Sequence, residues 1–402
     1  MHDSSRRIFL QQGSGAIAAG MLASTVHRTA RATAQGRARV AIIGRTGKGD
    51  YGHGVDVAFT KIPNVEVIAL ADEDEAGREA ARRRTNPART YADFREMLAN
   101  EQLDIVAICP RWVDQHHDMI VAAARAGAHV YMEKPFCPTL AECDSAIREL
   151  DQRNLKLGIA HVSEYSPVLG VVRSLIEHDE IGEVLELRGR GKEDRRGGGE
   201  DLWVLGSHIF GLMRSLAGGN ASSCTAVVRH DGHDVTAADV VDGAEGLGPL
   251  AGDNIEARYT FDGGVSGHFG SRRGMAGSPS RFAIQVFGSK GVIEMTTGYL
   301  VKAHILRDSS WSPARSGKSW EPITSNGIGK PETRTDGNYE GGHIAAITDL
   351  LGAIQHDRPT QCSADDSRAI VEMIAAVFES HRVGGPVDLP LKTRVNPLTL
   401  LT

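Results

Sequence analysis

Two β-branched runs, residues 40–43 and 65–71, enclose the stretch Gly44-Arg45-Thr46-Gly47-Lys48-Gly49, with further glycines at Gly52 and Gly54. A glycine cluster directly after a strand lets backbone N–H groups approach a pyrophosphate, and the following helix N-terminus favours its charge. The spacing departs from the plain G-x-G-x-x-G, so position carries the reading: this is the first strand–helix junction, and Asp72 closes the second run. An acid there accepts both ribose hydroxyls of an adenosine and repels a 2′-phosphate. Asp72, with Asp74 near it, predicts NAD in preference to NADP, held by a Rossmann-type domain from about Arg39 to Pro135. The bland alternative for Asp72 is a surface acid capping the next helix.

The rest of the first half keeps the same alternation. Residues 75–84 read as an exposed helix and 104–109 as a third apolar run. Residues 115–126 read as a helix stopped at Gly127, 129–132 as a fourth strand and 140–154 as a further helix. Such alternation implies a parallel sheet covered on both faces. From about His161 period-two strands dominate: 183–188, 224–229, 254–261, 265–269, 281–286, 292–295 and 300–306, with a hairpin turn at 287–291. These predict an α+β domain with a large, mainly antiparallel open sheet, closed by helices at 342–355 and 365–381. The polar stretch 307–338 reads as a long loop or insertion.

With 402 residues, the chain suits two domains with real cores. A net charge of −6 gives no electrostatic reason to expect nucleic acid or an anionic membrane as a partner. The five scattered cysteines contain no C-x-x-C pair, which speaks against a zinc site or a disulfide framework, and no metal is expected. At the N-terminus Arg6-Arg7 precedes a mild Gly/Ala-rich apolar stretch and small-residue sites near Ala32 and Ala34. That order is a twin-arginine secretory leader. The apolar run is too short and glycine-diluted for the ~20 residues a span requires, so no membrane span is expected in the mature form. The expected organisation is therefore a leader at 1–34, a Rossmann domain at 35–160 and a substrate and oligomerisation domain at 161–402, with periplasmic or secreted localisation.

Ala126-Gly127-Ala128-His129-Val130-Tyr131-Met132-Glu133-Lys134-Pro135, together with Ile181-Gly182-Glu183 and the tail from Gly385 to Leu391, resembles the Gfo/Idh/MocA oxidoreductase family. The resemblance covers nearly all of the chain after the leader. It implies that Lys134 lies beside the nicotinamide and the substrate hydroxyl, and that Gly44, Arg45, Thr46, Gly47, Gly49, Asp72, Pro110 and Glu133 join Lys134 in holding the cofactor. A cation at Lys134 would stabilise the alkoxide formed as hydride leaves, and a partly buried lysine can move a proton. The family's second signature, G-G-G-x-L-x-D-x-G-x-H, resembles residues 197–208. His208 fits as general base, but Val204 stands at the aspartate's position and the segment is one residue longer. Asp201 or Glu200 could take the missing role. His116, His161, Glu164 and Tyr165 are candidate substrate contacts by position, and of His116 and His117 one would face the cavity. Residues 191–200 read as a mobile lid or as a plain surface loop.

The resemblance implies an NAD-dependent oxidoreductase acting on a carbinol carbon of a sugar, polyol or glycoside, and makes the second sheet a candidate face for homo-oligomers. Export would require a retained dinucleotide. An alternative is an NAD-assisted glycosidase, lyase or epimerase working through transient oxidation, with Tyr165 or His208 as base. A third is a non-catalytic NAD-binding protein.

Overall fold

The computed structural model describes residues 36–402; the leader read from the sequence lies outside them. The first domain runs β1 (Ala38–Ile43), α1 (Val55–Thr60), β2 (Val65–Ala71), α2 (Glu75–Thr85), β3 (Arg89–Tyr91), α3 (Phe94–Asn100), β4 (Ile105–Ile108), α4 (His116–Arg125), β5 (His129–Met132), α5 (Leu140–Asp151) and β6 (Leu157–Ile159). Its six strands pair in the order β3-β2-β1-β4-β5-β6, with parallel pairing throughout. Strands β4 and β5 are buried at every position, as continuous apolar runs covered on both faces must be. The strand order reverses between β1 and β4, which puts the ligand crevice outside the carboxyl ends of these two strands.

The second half contains α6 (Pro167–Glu177), β7 (Val184–Arg190), α7 (Gly199–Val204), α8 (Gly206–Ala217), β8 (Ala221–His230), β9 (His233–Asp234), β10 (Val241–Gly243) and β11 (Gly248–Leu250). It continues through β12 (Asn254–Phe261), β13 (Ser266–Arg272), β14 (Ala283–Gly288), β15 (Val292–Thr296), β16 (Ala303–Leu306), α9 (Pro313–Ser316), β17 (Glu321–Thr324), β18 (Gly327–Ile328), α10 (Tyr339–His356), α11 (Ala364–Val383) and β19 (Val387–Asp388). Eleven strands form one sheet, antiparallel except where β7 meets β13. In β12, Ile255, Ala257, Tyr259 and Phe261 point inward while Glu256 and Arg258 face solvent, the period-two pattern of a sheet with one docked face. Helices α8 and α11 cover that face.

Two features of the second half differ from the expected layout. Residues 307–338 are not a plain loop, because β17 and β18 extend the sheet edge there. Between β8 and β12 the chain also makes a detour that pairs β10 with β11 as a separate hairpin. The two halves interlock. Helix α10 returns to pack beside α1 and β6, where the Tyr131 hydroxyl and His343 Nδ1 are 2.8 Å apart. The C-terminal tail does the same: Arg394 pairs with Asp144 of α5 (2.6 Å) and with Glu372 of α11 (3.2 Å), and its carbonyl accepts from Ala141 N. All five cysteines are buried and free. Among the described residues no helix is long and apolar enough to cross a membrane.

Candidate active site

The glycine-rich segment leaves β1 at Gly44 and runs across the strand ends toward β5. Thr46 donates to the buried Asp72 carboxylate from its N–H (3.2 Å) and its hydroxyl (2.7 Å), and Asp74 N adds a third donor at 3.1 Å. Asp72 therefore anchors the loop, and it also lines a crevice with Gly44, Arg45, Ala71, Phe94 and Gln115 at the carboxyl ends of β1 and β2. Arg45 turns its guanidinium to Asp114 (2.6 Å). Gly47 N–H donates to Asp50 at the exposed loop tip.

Two glycines let this loop close on the strands behind it. Gly49 has φ +86°, and a Cβ there would land on the backbone nitrogen of Arg111; a Cβ on Gly52, φ +64°, would meet the Glu133 side chain at 2.6 Å. The loop is thus moulded against the residues after Pro110 and against the Glu133-Lys134-Pro135 corner. The crevice at the carboxyl ends of β1 and β2 and the close backbone approach fit a dinucleotide, which Asp72 would meet at one end and Glu133 and Lys134 at the other.

Glu133 is fully buried. Its Oε1 accepts from the N–H of His53 (3.0 Å) and lies 2.8 Å from His53 Nδ1, while its Oε2 accepts from Lys134 N (3.1 Å). Burial alone would raise its carboxyl, but the hydrogen bond and charge of His53 hold it well below the usual carboxylate range. His53 stacks on Tyr339 with ring centroids 4.7 Å apart. Its role was missed in the sequence, although a histidine set between Gly52 and Gly54 is a visible signal. The peptide before Pro135 is cis.

Lys134 projects from the end of β5 into the cleft between domains, where Nζ donates to the backbone carbonyl of Val204 at 2.8 Å. Burial lowers its ammonium below the usual lysine range. The position lacking the family's aspartate thus meets the lysine through its main chain. His208 sits near the start of α8, and its ring meets that of His161 edge to face at 5.5 Å. Both rings have a buried Nδ1 without a hydrogen-bond partner among the described residues. Burial, then the charge of Lys134, pushes both imidazoles down, His161 to about 3. Lys134, His161 and His208 form one cluster: a buried lysine amine beside two imidazoles whose Nδ1 atoms have no partner among the described residues.

Four other candidates are placed elsewhere. His116 is no substrate contact: it is fully buried, with Nε2 on the Pro110 carbonyl (2.8 Å) and Nδ1 on that of Pro135 (2.7 Å), so it ties the end of β4 to the Lys134 corner. Asp201 is a structural acid, accepting from Glu193 N (3.0 Å), Lys192 N (3.2 Å) and Ser271 Oγ (2.5 Å), and its carboxylate pins the segment that was read as a lid or a surface loop. Glu164 pairs with Arg173 (3.0 Å) and faces a separate cavity of about 430 Å3 lined also by Arg214, Ser215 and Gln361. Tyr165 turns toward Cys362 and Tyr131, and its hydroxyl is buried.

Comparison with known proteins agrees with this construction. Residues 38–161 match the model of the Gfo/Idh/MocA oxidoreductase family's NAD-binding Rossmann fold, and residues 173–389 that of the same family's C-terminal alpha/beta domain. The levoglucosan dehydrogenase of Pseudarthrobacter phenanthrenivorans is 24% identical over 368 residues, 82% of this chain and 90% of that protein. The D-apiose dehydrogenase of Paraburkholderia graminis is 24% identical over 353 residues, 83% and 85% of the two chains. A solved levoglucosan dehydrogenase in complex with NADH and levoglucosan superposes with a TM-score of 0.71 at 19% identity, covering 88% of this chain and all of that one. With an NAD-binding Rossmann domain and a C-terminal α/β domain matched in order along its length, the chain belongs to the Gfo/Idh/MocA oxidoreductase family.

Proposed function

We propose that this protein is an exported NAD-dependent oxidoreductase that acts on a carbinol carbon of a sugar, polyol or glycoside. The observation that carries the reading is the cluster of Lys134, His161 and His208 at the nicotinamide end of the crevice. Bound there, the nicotinamide supplies the hydride acceptor. Lys134 faces the hydroxyl oxygen and stabilises negative charge as it develops, where exclusion of water strengthens the interaction. His208, neutral and with a free ring nitrogen, takes the hydroxyl proton. The named relatives act on small carbohydrates, which supports that substrate class.

The twin-arginine leader read from the sequence supports export of a folded chain with its dinucleotide already in place. Free NAD is not expected outside the cytoplasm, so the bound dinucleotide would be retained and reoxidised by a second substrate. The test is spectroscopic. The full-length protein, purified and checked for bound dinucleotide by mass spectrometry, is mixed with levoglucosan, D-glucose, myo-inositol and a β-glucoside while absorbance at 340 nm is followed. Reduction by at least one alcohol, lost about 100-fold or more in Lys134→Met, is expected. A protein that neither contains nor binds NAD would overturn the reading.

A second reading is favoured by the pairing of two neutral imidazoles. One base suffices for the hydroxyl proton, and His161 would be free to remove a C–H proton made acidic by a transient ketone. That chemistry releases product from the β-glucoside without net accumulation of NADH, and exchanges the neighbouring C–H with solvent deuterium.

A further inference from the structure

The cavity that Glu164 faces is separate from the cleft that holds Lys134. Glu164 reaches it from the 3₁₀ turn Val162–Tyr165, Arg173 from α6, Arg214 and Ser215 from α8, and Asp366 from α11. Its volume of about 430 Å3 falls within the ~300–1,000 Å3 usual for small-molecule sites, and neither Lys134, His161 nor His208 lines it. It lies one turn of chain from both imidazoles. Glu164 N–H donates to the His161 carbonyl (2.9 Å), and Gly211, also in the cavity wall, stands one turn after His208 on α8.

The charges in the wall cancel. Arg173 pairs with Glu164 (3.0 Å) and Arg214 with Asp366 (3.0 Å), and these are the charged residues that line the cavity. An anion would meet two acids and a cation two guanidiniums, so the wall selects against both. Hydrogen-bonding capacity nevertheless remains. Arg173 commits Nε to Ser215 Oγ (2.7 Å) and Nη2 to Glu164 and Ser215, which leaves both Nη1 hydrogens without an acceptor among the described residues. The Glu164 side chain is 10% exposed and accepts from Arg173 with Oε2. Its Oε1 has no partner among the described residues and lies against α8, where a Cβ on Gly211 would come within 2.9 Å. A buried carboxylate oxygen calls for a donor, and the soft terminal torsion of a glutamate lets it turn toward the cavity. A hydroxyl donates and accepts while carrying no charge, so neighbouring hydroxyls can serve Nη1 and Oε1 together. Ile370 and Gly218 add wall without polar side chains, against which carbon–hydrogen faces can pack.

We propose that this cavity is a second binding site, for a small neutral polyhydroxylated molecule, in which Arg173 and Glu164 hold neighbouring hydroxyls. The inference goes beyond the oxidoreductase reading and does not depend on it. The full chain with its bound dinucleotide is titrated by saturation-transfer NMR with D-glucitol, and with D-gluconate and D-glucamine as its anionic and cationic counterparts. D-glucitol is expected to bind at least tenfold more tightly than either charged compound. Ser215→Leu, which fills the cavity from α8, should abolish that binding. Arg173→Lys, which keeps the pairing with Glu164 but loses the Nη1 donors, should weaken it about tenfold.

D-glucitol binding that both variants leave unchanged belongs to the cleft of Lys134 and would overturn the assignment. So would no binding at all, or equal affinity for the three compounds, the behaviour of a recess that holds only solvent. If thermal melting shows that Ser215→Leu does not fold, the comparison of Arg173→Lys with wild type decides alone.

Discussion

Replacing His161 with glutamine should make the protein more tolerant of acid. His161 is fully buried beside Lys134, and burial, then that neighbouring charge, holds its imidazole at about 3 against 6.5 for the free side chain. Its proton affinity is depressed in the folded state, so between those two values the unfolded chain carries the extra proton. Its contribution is present in full above pH 6.5 and is lost as pH falls toward 3. Each pH unit inside the window is worth about 1.4 kcal/mol, so the histidine costs the wild type about 2.7 kcal/mol between pH 6.5 and 4.5. His129, held at about 4, acts in the same direction, while Glu164, raised to about 7 by burial, acts in the opposite one. The quantity to measure is therefore the difference between variant and wild type, from urea denaturation at half-unit steps from pH 7.5 to 4.5. At neutral pH the variant loses packing and a ring contact and is the less stable protein. The gap should then narrow on acidification, by roughly 2–3 kcal/mol at pH 4.5. Parallel curves, or a gap that widens, would refute the account of His161 as a neutral, desolvated imidazole.

Three other substitutions probe the cofactor side. His116→Phe strands the Pro110 and Pro135 carbonyls and should cost about 2–4 kcal/mol in urea denaturation, with loss of bound dinucleotide; a substrate contact would raise KM and leave stability alone. Asp72→Ser should weaken NAD at least tenfold in calorimetric titration and narrow the preference over NADP, because the acid that anchors Thr46 also repels a 2′-phosphate. Gly49→Ala should empty the protein of dinucleotide and lower its melting temperature, whereas Gly47→Ala, also left-handed but facing open space, should cost only about 1–2 kcal/mol.

The parts of this fold that repeat at short range were legible in the chain. Helix α2, the Ser289-Lys290 turn between β14 and β15 and the inward alternation of β12 follow from local propensity and period, and Asp72 from its place at a strand end, whereas Lys134 stood out only through the family resemblance. Other outcomes turned on contacts that no local pattern encodes. Whether His116 faced a cavity depended on two carbonyls, one of them 19 residues away in the chain. Asp201 looked like a spare carboxylate until Ser271, 70 residues on, took one of its oxygens. Glu164 was diverted by Arg173 of the following helix.

The tail clasp gives this protein a direction in time. During synthesis the Rossmann half emerges first and can fold and meet its dinucleotide while the second domain is still being made. Arg394 joins Asp144 across 250 residues of chain, and Ala141 N–H donates to the Arg394 carbonyl, so α5 is fastened to α11 only when this distant segment is in place. The two contacts thus couple the far ends of the described chain, so the seat of α5 depends on residues that no local folding of the Rossmann half can supply.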